Sequence, residues 1–543
     1  MKDYERDYPD FRKTPFHEHG DEVPSNHSTK PTMYEVIEAR TLRRGFMVGG
    51  LAALATGLFG GAVTTRAALA QTTAVSGLLG FAPVPLSKDD KVVVPEGYRV
   101  QILAPRGTPL TGDMPAFVPG GKSGAEQGMQ VGMHHDGMHY YAIDRSSTDG
   151  LLVMNHEYIE PRFLHAAKWA GQALDGDMVV FAADGNAAAT GASAAEDYRN
   201  EPNAFGWPAE FDPFDPASVP VKRTHLGRFA HEGIVLAPAV AGKPVVCYSG
   251  DDSRFEYIYK FVSAANYDHA TASGALLDEG TLYVAKFNND GTGEWLALAP
   301  GQNSLTPENG FADLADILVN TRAAADQAGA TKMDRPEWGT VDPNSGEVYF
   351  TLTNNNRRDM TQIDAVNPRA ENNFGQIVRW SYEGGDHALP TFAWNLFVIA
   401  GTPRNSLVFN GETLGDDSTF ACPDGLWCDA QSRLWIQTDM GDIGPNQTGP
   451  LEPFGMNAML AADPATGEIR RFLTGPWGQE ITGVIATPDR TTMFVNVQHP
   501  GAQATREEFA GGTFGSGFPD YNGTVPRSAT LVITRDDGGV IGA

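Results

Sequence analysis

The chain is short of three things that often define a protein's chemistry: cysteine, positive charge and long apolar runs. Its 543 residues include only three cysteines, Cys247, Cys422 and Cys428, an odd number that cannot build a disulfide framework within one chain. Each is expected to pack as a small hydrophobe near a strand, with a Cys422–Cys428 bridge left open. Lysine and arginine total 40 against 67 aspartates and glutamates, a net charge of −27. So acidic a surface repels nucleic acid and anionic lipid, and neither is expected as a partner. No run matches the roughly 20 strongly apolar residues of a membrane span, so no stable membrane insertion is expected. A Walker-type phosphate loop and a Gly-x-Ser-x-Gly elbow are also absent, which disfavours a nucleotide cradle and a serine nucleophile.

What the N-terminus does have is an address. Arg43 and Arg44 stand directly before the mildly apolar, Gly- and Ala-rich residues 48–63, and Ala68-Leu69-Ala70 offers a small-residue cleavage site. Charged, then apolar, then small is the order of an export signal, and paired arginines point to the twin-arginine route. Residues 1–70 are therefore expected to be a twin-arginine signal with a long polar leader, read by the twin-arginine export machinery. Residues 71–543 are expected to form one domain, periplasmic or extracellular.

From Leu86 onward, short runs of β-branched and aromatic residues alternate with Asp, Asn, Gly and Pro, as at residues 98–102, 138–143, 245–248, 347–352, 434–437 and 493–497. This is an all-β pattern. A turn phrase recurs at Asp342, Asp429 and Asp489, each followed by a hydrophobic-aromatic pair, and repetition of a hairpin phrase points to propeller blades with insertions. Residues 305–331, Ala-rich with apolar spacings of three and four, form the expected helical insertion.

Hard cations are bound by carboxylates, amides and carbonyls in turns. Such groups collect at Asn155, His156 and Glu157, at Glu232, at Asp251 and Asp252, and at Glu337 and Glu480. Arg335 adds a planar fork suited to two phosphate oxygens, and Pro336 stiffens the turn that carries it beside Glu337. Together these predict metal-assisted phosphoryl chemistry. The phrase His134-His135-Asp136-Gly137-Met138-His139 reads equally as a metal cluster or as strand and turn; Asp424, Asp439 and His499 read as structural turn residues.

His231-Glu232-Gly233, the run from Tyr248 to Ser263, Met333 to Trp338, Pro423-Asp424-Gly425-Leu426 and Val495 to Gly501 resemble the PhoX family of secreted bacterial alkaline phosphatases. The resemblance implies a six-bladed β-propeller with added helices, and a phosphomonoesterase that releases inorganic phosphate from organic phosphate esters. It implies that Arg335 contacts phosphate and Glu337 binds metal, with an oxygen nucleophile held among two ferric and several calcium ions. The match breaks between Tyr158 and Phe205, where 46 residues lack the family's Cys-containing phrases that supply a thiolate and a carboxylate to iron. The cofactors implied are thus calcium, with iron in doubt. Two rival readings are a calcium-dependent propeller hydrolase of lactonase or phosphotriesterase type and a non-catalytic calcium-binding propeller.

Overall fold

A computed structural model describes residues 77–110, 116–118, 128–157, 202–215, 217–441, 449–505, 508 and 511–543. The expected export signal and nearly all of the shortened stretch after Tyr158 lie outside these residues.

The described residues form antiparallel units whose first strands meet at a common centre, a β-propeller-like arrangement. One unit is the four-stranded sheet of Pro423–Cys428, Leu434–Thr438, Ala458–Ala462 and Ile469–Thr474. Another runs from Glu480–Ala486 through Thr492–Gln498 and Ala529–Arg535, and is completed by Tyr98–Leu103 from the N-terminal side. That strand pairs with Ala529–Arg535 from Tyr98↔Arg535 to Leu103↔Thr530, so the two ends of the domain share one sheet. Leu79 and Phe81 pack into the same core, and burial of each is worth about 2 kcal/mol.

Two further units share a sheet edge. Pro336–Val341, Val348–Leu352, Gln376–Ser381 and Thr391–Ile399 continue into Thr292–Ala297, Gly280–Phe287, Ile258–Asn266, Pro244–Gly250 and the short Val235–Leu236. A two-stranded unit, His135–Ala142 with Gly150–His156, completes the described ring. The first strands pack on one another in turn: His135–Ala142 on Glu480–Ala486, that strand on Pro423–Cys428, and Pro423–Cys428 on Pro336–Val341.

The recurring turn phrase does what its chemistry predicts. The carboxylates of Asp342, Asp429 and Asp489 accept the main-chain N–H two residues on, from Asn344, Gln431 and Thr491, at 2.8–3.1 Å. Each closes the hairpin between the first and second strands of its unit, which leaves the opposite ends of those strands for the site.

The helical insertion is two helices rather than one, Leu314–Val319 and Thr321–Ala328. Asp313 caps the first through Asp316 N at 3.0 Å, and the backbone breaks at Asn320. All three cysteines are buried and unbridged. Cys422 immediately precedes, and Cys428 ends, the strand Pro423–Cys428, so six residues of extended chain hold them about 20 Å apart, far beyond disulfide reach.

Candidate metal and phosphate site

The same two positions of each unit build the site. One lies at the start of the first strand, the other just past the end of the second, where the antiparallel partner returns. The pairs that mark this level are His135↔His156, Pro336↔Leu352, Pro423↔Thr438 and Glu480↔Gln498, with His231↔Asp251 as an isolated bridge. One residue beyond the first partner stand Asp136, Glu232, Glu337 and Asp424. One residue beyond the second stand Glu157, Asp252, Asp439 and His499. In the unit that begins with Glu480, the strand's first residue is itself the acid. A register shift follows the acid in the strands that start at His135, Pro336 and Pro423, and also within Glu480–Ala486. Such bulges bend the strand and re-aim side chains.

The result is three groups whose ligand atoms lie within 4.8 Å of one another: Glu157, Glu232 and Asp252; Glu232, Glu337 and Asp424; and Asp439, Glu480 and His499. Glu232 belongs to the first two. Arg335 reaches all three. Its Nε lies 2.6 Å from Asp252 Oδ1, and its Nη1 lies 2.8 Å from Glu337 Oε1 and 3.6 Å from Asp439 Oδ2. The Arg335 backbone is left-handed, φ 57°; a residue preceding proline is steered away from the right-handed helical region, and this one carries its side chain in a conformation that L-residues seldom adopt.

Among the described residues, seven carboxylates make up these groups, and three of them lie within 3.6 Å of the Arg335 guanidinium. Burial, followed by the charges of Asp136, Asp424 and Asp252, pushes Glu232 well above the usual carboxylate range. Burial likewise raises Glu337 well above it, against the pull of Arg335. Asp424 is pushed up to about 7 by burial, with Asp439 adding to the rise. Carboxylates driven this way are those a divalent cation would hold ionised, and the oxygen-rich donor set suits a hard ion such as calcium.

Behind this ring, Asp136 is buried and receives hydrogen bonds from Thr482 Oγ1 at 2.7 Å and Asn155 Nδ2 at 2.7 Å. Trp338, next to Glu337 and half-buried, lies close to the residues that follow two of these acids: a Cβ on Gly137 would lie 2.7 Å from its indole, and one on Gly233 3.1 Å. These two glycines leave room for the indole.

Of the residues expected from sequence, the structure brings Glu157, Glu232, Asp252, Glu337, Glu480 and Arg335 together. It places Asp251 elsewhere: fully buried, Asp251 accepts from Arg322 Nε at 2.8 Å and Nη2 at 2.5 Å. Asn155 donates to Asp136 Oδ2 at 2.7 Å. Asp424, Asp439 and His499, expected to be structural, are group members. Asp439 does both jobs, since Oδ1 also accepts from Gly441 N at 2.9 Å. The His-rich phrase splits: His135 bonds Ser528 Oγ and the Ala104 carbonyl, His139 packs on Tyr141, and His134 lies against His499 with ring centroids 5.5 Å apart. Cys247 sits in the core with its thiol pushed up to about 12 by burial, which removes it as a thiolate ligand.

A sequence profile for the alkaline phosphatase PhoX family matches residues 79–199 and 176–501. Among solved structures, Pseudomonas fluorescens PhoX in complex with vanadate, a transition state analogue, is similar with a TM-score of 0.75 and 34% identity, over 86% of this chain and 100% of that one. A gluconolactonase from Xanthomonas campestris is far more distant, with a TM-score of 0.19 and 11% identity over 61% of this chain and 98% of that one. No curated protein sequence matches the chain.

Proposed function

Because the chain belongs to the PhoX family of alkaline phosphatases and is thus a metal-dependent phosphomonoesterase, we propose that Arg335 receives the phosphoryl group of its substrate among calcium ions held by the surrounding carboxylates. The observation that supports this reading is the position of Arg335, within 3.6 Å of a carboxylate from each of the three groups. Glu157, Glu232 and Asp252, then Glu232, Glu337 and Asp424, would hold calcium; Asp439, Glu480 and His499 would form a third metal position that includes a nitrogen donor. Bound there, the metals would neutralise phosphoryl oxygens and make an attacking oxygen easier to generate.

The protein's own residues then have separable tasks. With its carboxylate partners engaged by metal, the Arg335 fork turns to two oxygens of the phosphoryl group and fixes it for in-line attack. Hydrolysis consumes one water per ester and yields an alcohol and inorganic phosphate. Iron enters the proposal only through the family resemblance. The shortened stretch after Tyr158 carries no cysteine, and Cys247 is committed to the core.

Among the described residues no helix is long and apolar enough to cross a membrane. For residues 1–70 the proposal remains twin-arginine export, with Arg43 and Arg44 as the signal, to the periplasm or beyond.

The test compares p-nitrophenyl phosphate, a phosphodiester and a lactone as substrates, with vanadate as inhibitor. Turnover of the monoester, blocked by vanadate and weakened in Arg335→Lys, is expected. A loss of about 2–4 kcal/mol of transition-state stabilisation would match removal of other preorganised donors. Full activity in Arg335→Lys would refute the role given to its fork.

A further inference from the structure

Arg335 does not hold its own conformation. It is a non-glycine residue at φ 57°, locked between Pro336 and the fully buried Asp334. The Asp334 carboxylate accepts from three side-chain donors. Its Oδ1 accepts from Arg358 Nε at 2.5 Å; its Oδ2 accepts from Asn372 Nδ2 at 2.8 Å and Gln376 Nε2 at 3.3 Å. Each donor is fixed in turn. Arg358 also donates to the carbonyls of Gln362 and Lys332, both at 2.7 Å, and packs over the Phe255 ring. Asn372 donates to Gln376 Oε1 at 2.6 Å and accepts from Gly375 N at 3.0 Å.

The main chain on both sides of Asp334 is tied as well: Met333 N donates to Glu256 O at 2.9 Å, Asp334 bridges Arg254, and Thr353 N donates to the Arg335 carbonyl at 3.0 Å. The Asp334 charge is paired with Arg358 and not with Arg335. It therefore fixes the turn without competing for the fork.

We propose that Asp334 is a positioning residue for phosphate recognition, acting through Arg335: its three-donor clamp holds the left-handed turn that aims the fork. This rests on the placement of Arg335 against phosphate proposed above. The Asp334 carboxylate belongs to none of the three groups, so loss of the clamp should misaim the fork without emptying the metal positions.

The experiment is a double-mutant cycle on the full-length enzyme with wild type, Asp334→Asn, Arg335→Lys and the double variant. It reads kcat and KM for p-nitrophenyl phosphate, vanadate affinity, and bound calcium by elemental analysis. Asp334→Asn is expected to lower kcat roughly 10–100-fold, the scale of a small misplacement of a catalytic group, and to weaken vanadate binding while calcium content holds. In the Arg335→Lys background the same change should cost almost nothing further. An equal fractional loss in both backgrounds would mean that Asp334 only supports the fold and would overturn the proposal. Arg335→Lys with undiminished activity would instead sink the reading of Arg335, and this inference with it. If Asp334→Asn does not fold, Gln376→Met removes one donor and keeps the Arg358 pair; its smaller loss must likewise vanish beside Arg335→Lys.

Discussion

Glu337 and Asp424 occupy the same place in neighbouring units. Each follows a proline, Pro336 or Pro423, that pairs with the last residue of its unit's second strand, Leu352 or Thr438. Each precedes a register shift, and each is preceded by a left-handed residue, Arg335 at φ 57° and Cys422 at φ 51°. The two carboxylates meet in one group with Glu232. Repetition of a unit around a centre would thus do the work of a ligand loop, with equivalent positions in different blades bringing their carboxylates into one group.

It follows that Glu337→Gln and Asp424→Asn should act alike. Each removes one charged ligand oxygen while keeping the shape of the side chain, and each should lower bound calcium and kcat together. Elemental analysis of purified variants checks this. Arg335→Lys should keep its metal and lose turnover, so the ratio of activity to bound calcium separates ligand from phosphate clamp. Retention of full metal by both amide variants would exclude these carboxylates as ligands.

Export supplies a second expectation. Arg43 and Arg44 stand before residues 48–63 in the order of a twin-arginine signal. Replacing both with lysine keeps the charge and removes the pair that a twin-arginine machinery would read. The variant should accumulate in the cytoplasm, as fractionation and activity assay would reveal; unchanged delivery outside it would reject the route.

How much of this was legible in the sequence depended on whether a residue's neighbours reveal its partners. The strands and the hairpin phrase were, because alternation and Asp-led turns are local signals. The Arg335-Pro336-Glu337 turn was visible for the same reason. Asp424 and Asp439 were not: an Asp in a turn looks the same whether it caps its backbone or joins a carboxylate group, and Asp439 does both. Comparing Cys422-Pro423-Asp424 with Arg335-Pro336-Glu337 would have found Asp424, since both phrases start a first strand. Asp251 misled because two adjacent acids look alike in sequence, while the strand's two faces send one to Arg322 and the other to Arg335. Asp136 was hidden by the three histidines around it.

Gly137 provides a test of this packing. A methyl there would lie 2.7 Å from the tip of the Trp338 indole and 3.0 Å from Asn155 Oδ1, so one of these neighbours must shift. Gly137→Ala should cost about 1–3 kcal/mol of stability, the usual scale of overpacking, and lower activity because Trp338 adjoins Glu337. Trp338→Phe removes the outer atoms of the indole, so Gly137→Ala in that background should be better tolerated. Thermal melts of the four proteins decide it; equal costs with and without the indole would show that the clash is not what matters.

The carboxylate ring also predicts how metal and pH interact. Burial and mutual repulsion raise Glu232 and Glu337, and push Asp424 from 3.8 to about 7. In the metal-free protein the folded state therefore holds protons that the unfolded chain has released. Stability from this source is present below about pH 4 and is lost as pH rises through about 7. Calcium bound to these carboxylates would replace those protons and would stabilise by mass action, about 2.7 kcal/mol at a hundredfold excess over its Kd. Because protons compete for the same oxygens, that gain should grow as pH rises. The melting temperature of chelated protein should consequently fall between pH 5 and pH 8 while that of calcium-loaded protein holds, so the gap between them widens. A gap of the same size at both pH values would show that these carboxylates are not where calcium binds.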